Sequence, residues 1–362
     1  MPTGWRRPIT CAALVSGLAV SFLSACGNSQ ITAPATSVPD FEKRLENLRT
    51  RSHIPAITAV IAKGQAIVWV KGFGIADLAT QRPAADTTVY HLASLTKPFA
   101  ATVILQLVEE GKVSLDDPVS RYGIQIPGPG IVLVRHLLSH TSEGTPGARY
   151  SYNGNRFGLL DSVIVRATGM SLGAALQERI FAKIGLHHTA PNPQSAAFRA
   201  TSLNRAAFEA NMARGYTYSG SKYNPTSYPS YFGSAAGLTA SAVDVALFSM
   251  ALDRGALLRP ETRVLAYTPT VDPTGTSLPY ALGWFSTRYK GVRIIWHYGL
   301  WTANSSLIIK VPERDLTFVV LANTDALSQA YPLGAGKLES SPWAREFLDA
   351  FVIGSLELPS TR

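Results

Sequence analysis

A serine and a lysine three positions apart are the strongest indication of chemistry in this chain of 362 residues. Ser94 and Lys97 stand at the start of a largely apolar run, 98–108, that predicts a helix. Residues three apart share one helix face, so the Lys97 amine can lie against the Ser94 hydroxyl. A serine is a weak nucleophile until a base activates it, and a helix N-terminus favours the negative charge that develops. The pair therefore predicts an acyl-transfer nucleophile and its base.

The same spacing occurs once more, at Ser219 and Lys222. These residues stand among Gly, Tyr, Asn and Pro residues, with no apolar periodicity behind them. Such a composition predicts a solvent-exposed loop. We therefore expect Ser94, and not Ser219, to be reactive.

Two other residues are candidates for the same site. Tyr152 lies in a turn-rich loop before a predicted helix, and a tyrosine near a lysine can act as a general base when it is held partly as phenolate. His297 ends an apolar strand, from which it can point into a cleft, and Gly299 would let a ligand approach the backbone closely. Taken alone, each residue more often has a structural role; the combination of Ser94, Tyr152 and His297 in this order favours a shared site.

Strand patterns stand at both ends of the chain, and helices and long loops occupy the middle, from about 98 to 260. This order predicts an α+β fold, an antiparallel β-sheet flanked by helices with an inserted, mostly helical subdomain. We expect the sheet subdomain to cover about 41–93 and 265–353, and the helical subdomain about 94–264. The predicted strands are 56–62, 66–70, 280–284, 292–297, 306–310 and 317–322, with terminal helices at 41–52 and 342–353.

Taken in order, these residues resemble the serine hydrolases of the class C β-lactamase and penicillin-binding-protein type, which also include D,D-peptidases, D-amino-acid peptidases and esterases. The resemblance runs from about 41 to 325 and implies a β-lactamase/transpeptidase-like fold with the site between its two subdomains. The further segments that carry it are His136–Ser142 with Pro146-Gly147, Gly237–Asp244, Val311–Glu313 and Leu321–Asn323.

The resemblance also implies a role for each site residue. Ser94 is then the nucleophile that accepts the acyl group, and Lys97 is its proton-relay partner. Tyr152 is the tyrosine of the second motif, and His297 stands where relatives carry Lys or His in the third. The backbone N–H groups of Ser94 and Leu300 form the oxyanion hole. The implied substrate is a D-amino-acid peptide, an ester or a β-lactam.

Two positions depart from the family pattern. Gly154 stands where relatives commonly have asparagine, so we assign the substrate-binding side-chain amide to Asn153 or Asn155. Gly299 is assigned to substrate binding as well. His297 replaces the lysine usual in true class C β-lactamases, and histidine is mostly neutral at pH 7 whereas lysine is a cation. This replacement favours a peptidase, amidase or esterase over efficient hydrolysis of antibiotics.

The N-terminal residues predict export. Arg6 and Arg7 precede an apolar stretch that ends in Leu23-Ser24-Ala25-Cys26, which is similar to a bacterial lipobox. We expect residues 1–25 to be a lipoprotein signal peptide, Cys26 to be lipidated and 26–40 to be a flexible tether. The protein would then be anchored in the bacterial cell envelope, on the periplasmic side. A transmembrane helix is the alternative, although the stretch is at the short limit for a span.

Charge and cysteine content argue against other classes. The net charge of +9 is spread along the chain, which disfavours nucleic-acid binding. Cleavage before Cys26 would remove Cys11 and leave no disulfide within the mature chain. The sequence has no Cys/His cluster with zinc spacing and no glycine-rich phosphate loop, so we expect neither a metal nor a cofactor. A non-catalytic, envelope-anchored binding protein of the same fold and a structural envelope lipoprotein remain as alternatives.

Overall fold

A seven-stranded antiparallel sheet, built from both ends of the chain, forms the centre of the fold in this computed structural model. The structure describes residues 33–354 and 356–358, so Cys26 and the predicted signal peptide lie outside the described residues. The strands are β1 (Ala56–Lys63), β2 (Ala66–Asp77), β3 (Arg82–Pro83), β4 (Val89–His91), β5 (Thr189–Pro191), β6 (Tyr216–Ser219), β7 (Lys222–Pro225), β8 (Leu238–Ser241), β9 (Phe285–Tyr289), β10 (Val292–Trp301), β11 (Asn304–Val311) and β12 (Leu316–Ala322). The strand order of the large sheet is β3-β2-β1-β12-β11-β10-β9. A three-stranded sheet has the order β4-β8-β5, and β6 pairs with β7 in a hairpin.

Helices pack on both faces of the large sheet. The α-helices are α1 (Val38–Arg51), α2 (Thr96–Glu109), α3 (Val134–Leu138), α4 (Gly154–Gly158), α5 (Leu160–Thr168), α6 (Leu172–Leu176), α7 (Ala182–Ile184), α8 (Arg205–Asn211), α9 (Ala242–Asp253), α10 (Pro260–Tyr267) and α11 (Pro342–Phe347). A π-helical turn, Leu348–Ile353, continues α11. The predicted fold class is confirmed, while the two subdomain boundaries stay a prediction.

Alternating side chains divide the sheet between two hydrophobic cores. In β1, Ile57, Ala59 and Ile61 join the core formed with α1 and α11, whereas Val60 and Ala62 join the core formed with α2 and α9. Successive residues of a strand point to opposite faces, so a strand covered on both sides must be apolar throughout. This requirement explains why the central strands are continuous apolar runs.

Helix α1 begins three residues earlier than the sequence periodicity predicts. The Ser37 hydroxyl accepts a hydrogen bond from the Asp40 N–H, and Pro39 lies in the first turn. Serine is a favoured N-cap and proline is tolerated in the first helical turn, because the N–H groups there have no partner within the helix. The apolar stripe of Phe41, Leu45 and Leu48 is buried as expected.

The predicted strand at 280–284 is wrong. Tyr280 forms only an isolated bridge with Phe285, and the chain turns back at Gly283, where φ is +86°. A Cβ at Gly283 would lie 2.3 Å from the Cβ of Ala101 on α2, so a glycine is required for this close approach. The side chains of the segment are buried although they are not in a strand, which accounts for the strand-like pattern.

No single helix of residues 33–354 is long and apolar enough to cross a membrane. The bent pair Gly154–Thr168 and Leu172–Ile184 passes that test by length and composition only. In the same part of the chain, no group of three or more His, Cys, Asp or Glu side chains has the geometry to hold a metal ion.

Candidate active site

Ser94 lies on a tight turn between strand β4 and helix α2. The turn Ala93–Leu95 is a 3₁₀ helix, and Ala93 has a left-handed φ of +49°. The Thr96 hydroxyl donates a hydrogen bond of 2.7 Å to the Ala93 carbonyl and so stabilises the turn. A left-handed alanine costs about 1–2 kcal/mol, and such strain is found at functional sites when the surrounding packing enforces it. Ser94 is partly exposed between two buried neighbours.

Helix α2 follows this turn directly, and its burial in the core fixes the position of the turn. Its residues from Thr96 to Leu107 are all buried, which is typical of a helix that is apolar on every side. Strand β8 also ties the turn in place, because the Leu92 N–H bonds the Leu238 carbonyl and the Leu238 N–H bonds the Thr96 hydroxyl. These contacts explain the Gly237–Asp244 segment noted in the sequence: it supplies β8 and the start of α9.

Lys97 is buried against Ser94. The Lys97 Nζ atom lies 3.0 Å from the Ser94 Oγ atom and 2.8 Å from the Ala235 carbonyl oxygen, and only 1% of the residue is exposed. Burial disfavours the ammonium form and lowers the pKa of Lys97 to about 7. Near neutral pH, a substantial fraction of this amine is therefore unprotonated and has a lone pair available.

Tyr152 lies beside Lys97 with its hydroxyl buried. Its ring centroid is 5.0 Å from the Lys97 Nζ atom, and its hydroxyl makes no hydrogen bond of good geometry. Burial raises the pKa of the Tyr152 phenol well above its usual value, and Tyr298 raises it further, whereas nearby Ser94 lowers it. This direction is opposite to the one that a phenolate base needs. Of the two candidates, Lys97 is therefore the better base.

The expectation that His297 points into an open cleft is wrong. The side chain is completely buried, its Nε2 atom lies 2.8 Å from the Tyr280 hydroxyl, and its Nδ1 atom lies 2.7 Å from the Tyr298 carbonyl oxygen. A carbonyl can only accept, so Nδ1 carries the proton and Nε2 accepts from Tyr280. Burial and the nearby Lys97 lower the pKa of His297 well below its usual value. The imidazole is neutral.

Gly299 has a different function from the one expected from the sequence. A Cβ at this position would lie 2.0 Å from the Leu92 carbonyl oxygen and 2.3 Å from the Ser306 Oγ atom. The Ser306 hydroxyl also donates a hydrogen bond of 2.8 Å to that carbonyl. The close approach that Gly299 permits is therefore between β10 and the turn that carries Ser94, rather than between the backbone and a ligand.

The end of strand β10 has an unpaired edge next to this turn. Strand β9 pairs with β10 only as far as Trp296, so the following residues have a partner on the β11 side alone. Trp301 and Asn304 close a two-residue hairpin, and in an antiparallel ladder the next pair, Leu300 and Ser305, is not hydrogen-bonded. The Leu300 N–H is thus directed to the open edge, where the predicted oxyanion hole requires a donor.

The two asparagines assigned to substrate binding differ in availability. Asn153 caps α4 through its Oδ1 atom, which accepts from the Arg156 N–H, and its Nδ2 atom bonds the Glu143 carboxylate. Asn155 is exposed. A Cβ at Gly154 would be 4.0 Å from the Ala235 Cβ, which is ordinary contact, so the backbone there has room for a side chain.

Three residues that contribute to the site are not evident from the sequence. Tyr280 was placed in a strand, although it bonds His297. His140 belongs to a segment noted only for its resemblance, yet its Nδ1 atom accepts the Asn153 N–H at 3.1 Å and its ring lies 4.3 Å from that of Tyr152. Ala235 contributes only a backbone carbonyl, which no pattern of side chains reveals.

A tight turn, a buried lysine and the edge of an antiparallel sheet together form the arrangement of the β-lactamase-fold serine hydrolases. The chain belongs to the Beta-lactamase family, whose family model matches residues 41–336. The family expected from the sequence is thereby confirmed. Members of this family include esterases, amidases and carboxypeptidases.

Individual relatives are distant. The chain is 26% identical to penicillin-binding protein 4* of Bacillus subtilis (strain 168), over 74% of this chain and 68% of that protein. It is also 26% identical to the unguisins hydrolase ungD' of Aspergillus campestris (strain IBT 28561), of whose length it spans 61%. A match to esterase EstB of Burkholderia gladioli reaches 36% identity, but over 26% of each chain.

Solved structures show the same fold. The octameric penicillin-binding protein homologue from Pyrococcus abyssi superposes with a TM-score of 0.71 at 22% identity, covering 86% of this chain and 81% of that one. D-alanine carboxypeptidase AmpC from Burkholderia cenocepacia gives a TM-score of 0.67 at 20% identity, over 82% and 96% of the two chains. At these identities the likeness concerns the fold alone.

Proposed function

We propose that the protein is a serine hydrolase that cleaves ester or amide bonds through an acyl-enzyme on Ser94. The observation that carries this proposal is the 3.0 Å contact between the Ser94 hydroxyl and a completely buried Lys97. A lysine in water would be a cation at pH 7, whereas this one has a pKa of about 7 and can accept a proton.

The proposed reaction has two half-reactions. In the first, the Lys97 amine accepts the Ser94 proton while the serine oxygen attacks the substrate carbonyl carbon. The carbonyl oxygen becomes negative and is stabilised by the N–H groups of Ser94 and Leu300. The tetrahedral intermediate collapses to the acyl-enzyme, and the leaving group departs with the proton that Lys97 had taken. In the second, water enters with the same assistance, releases the acid and restores Ser94.

Tyr152, whose hydroxyl is buried, and the fully buried His297 support this reaction. The protonated Tyr152 is suited to donate a hydrogen bond, either to the Ser94 oxygen or to the leaving group. The neutral His297, held by Tyr280, places no permanent charge beside the site. Its neutrality favours an esterase, amidase or peptidase over an efficient β-lactamase, because there is no third-motif cation to attract the β-lactam carboxylate.

Covalent labelling tests the proposal directly. Wild-type protein and the Ser94→Ala variant are treated with a fluorophosphonate and, separately, with a labelled penicillin, and the modified peptide is identified by mass spectrometry. We expect one label on the Ser94 peptide of the wild type and none on the variant. The non-catalytic alternative, a binding protein of the same fold, predicts no label on either protein.

We also propose that Cys26 anchors the protein in the cell envelope. The support is the sequence pattern of a short apolar stretch that ends in Leu23-Ser24-Ala25-Cys26. Full-length protein should partition into detergent, while a version beginning at Ser29 should be soluble with unchanged kcat/KM. Normal processing and lipid labelling of Cys26→Ser would contradict the proposal.

A further inference from the structure

We infer that the site binds an uncharged, apolar acyl group, and that Trp301 and Tyr231 form the surface that contacts it, here called the apolar rim. The inference rests on the proposed function and names the substrate class of the same site. It concerns specificity, which the contact between Ser94 and Lys97 does not determine.

The two members of the apolar rim come from the end of β10 and from the loop that leads to Ala235. Leu300 carries the predicted oxyanion N–H on the open edge of β10, and its side chain points to the opposite face of the strand from that of Trp301. Trp301 follows it, and its ring lies 5.9 Å from the ring of Tyr231, which is 43% exposed. Tyr231 precedes Ala235, whose carbonyl accepts from Lys97, by four residues along the same loop.

Trp301 also contacts the other side of the nucleophile turn. Its ring meets that of His91 edge-on at 6.1 Å, and the Ala93 N–H donates to the His91 Nδ1 atom at 3.1 Å. The apolar rim thus lies beside the turn itself. Single exposed apolar residues are common on protein surfaces, but two aromatic rings that lie together beside the turn carrying Ser94 indicate a binding surface.

The charged groups of the site disfavour a carboxylate on the acyl group. The Lys97 Nζ atom is buried and engaged by Ser94 and Ala235, and His297 is neutral with both ring nitrogens hydrogen-bonded. Neither group is free to pair with a substrate carboxylate.

The opposite wall of the site is also closed by aromatic side chains. The Tyr150 hydroxyl donates to the Gly334 carbonyl at 2.7 Å, and a Cβ at Gly334 would lie 2.8 Å from the Tyr298 hydroxyl. The rings of Tyr152 and Tyr298 are 5.9 Å apart. The wall opposite the apolar rim therefore contains the aromatic rings of Tyr152 and Tyr298, with the Tyr150 and Tyr298 hydroxyls lying at Gly334.

The test compares p-nitrophenyl esters that share one leaving group. Burying one methylene group raises binding affinity about fourfold. From acetate to valerate, kcat/KM should therefore rise by roughly three- to fourfold for each carbon added to the acyl chain. The p-nitrophenyl monoester of succinic acid, similar in length to the valerate but anionic, should react at least about tenfold more slowly than the valerate. A preference for acetate or for the succinate ester would overturn the inference.

Variants of the apolar rim assign this preference to residues. Trp301→Ala and Tyr231→Ala should reduce the ratio of kcat/KM for valerate over acetate by about tenfold, whereas Tyr231→Phe should retain the ratio. Tyr218→Ala is the matched control, since Tyr218 is a similarly exposed tyrosine (38%) in the β6–β7 hairpin. An unchanged ratio in both alanine variants would contradict the assignment.

Labelling of Ser94 separates this inference from the proposed function. Each variant is first titrated with fluorophosphonate, so that rates refer to molecules with a reactive Ser94 and a misfolded variant is recognised. Wild-type protein that neither labels nor hydrolyses any ester would overturn the proposed function, and the inference with it. Protein that labels and hydrolyses esters without the expected chain-length and charge preference would overturn the inference alone.

Discussion

The two Ser-x-x-Lys segments of this chain have identical spacing but occupy very different structures. Ser94 and Lys97 lie where a tight turn enters a buried helix. Ser219 and Lys222 face each other across the two-residue turn of the β6–β7 hairpin, where Gly220 and Ser221 both have positive φ. That geometry is typical of a type I′ hairpin turn. Lys222 is exposed, whereas Lys97 is buried and its Nζ atom donates a hydrogen bond to the Ala235 carbonyl.

The comparison shows that burial, rather than spacing, makes the amine of Lys97 differ from that of Lys222. Both segments bring a lysine near a serine, but only in the first does the protein remove water from the amine. Desolvation lowers the pKa of Lys97 to about 7 and so provides a proton acceptor near neutral pH. Four predictions test this contrast.

The largest effect is expected at the two serines. Ser94→Ala should lower kcat on p-nitrophenyl acetate by roughly 10⁴–10⁶-fold, because it removes the nucleophile. Ser219→Ala should leave kcat within about twofold, since its hydroxyl only accepts a bond from the exposed Asn224 amide. Equal losses in the two variants would contradict the assignment of Ser94.

The two lysines should differ next. Lys97→Met should lower kcat/KM by about 10²–10⁴-fold, the usual contribution of a general base, whereas Lys222→Met should have almost no effect. Tyr152→Phe should also lower kcat/KM. The double variant Lys97→Met/Tyr152→Phe should be little worse than the slower single variant if the two residues act as one proton relay. Fully multiplicative losses would show that they act independently.

The glycines near each serine provide the third contrast. Gly299→Ala should lower kcat by about 100-fold, because its Cβ would displace the Leu92 carbonyl and with it the Ser94 turn. A Cβ at Gly220 would have nothing within 4 Å, and its φ is +54°. Gly220→Ala should therefore cost about 1–2 kcal/mol of stability with unchanged kcat. Thermal unfolding and kcat are measured for both variants. A Gly299→Ala enzyme with normal kcat would show that the position of the Ser94 turn does not depend on its close contact with β10.

The smallest effect is the pH dependence. The unprotonated Lys97 is the active form, so kcat/KM should rise about tenfold per pH unit below pH 7 and level off above it. The midpoint should lie near pH 7, far below the usual pKa of a lysine. The Lys222→Met enzyme should give the same profile. A rate that falls as the pH rises through 7 would indicate that the ammonium form is the active one.

Most of the architecture and the candidate nucleophile, Ser94, can be predicted from the sequence alone. Apolar runs at both chain ends identified the core strands, and a helical period behind Ser94 distinguished it from Ser219. These features depend on neighbours within a few residues, where helix and strand geometry fixes which side chains share a face. The strand predicted at 280–284 failed because its burial comes from a contact with α2 and not from pairing in the sheet.

The environment of the site residues depends on contacts between distant parts of the chain. The Lys97 amine donates to a carbonyl 138 residues away, and Gly299 packs against a turn that is bonded to Ser306, 214 residues from Leu92. His297 is neutral because burial and the nearby Lys97 lower its pKa, and its Nε2 atom accepts a hydrogen bond from Tyr280. Burial and such distant partners set the pKa of a side chain, and local sequence contains neither. The same two residue types, equally spaced, therefore form a buried contact between a serine and a lysine of lowered pKa in one place and a surface hairpin turn in the other.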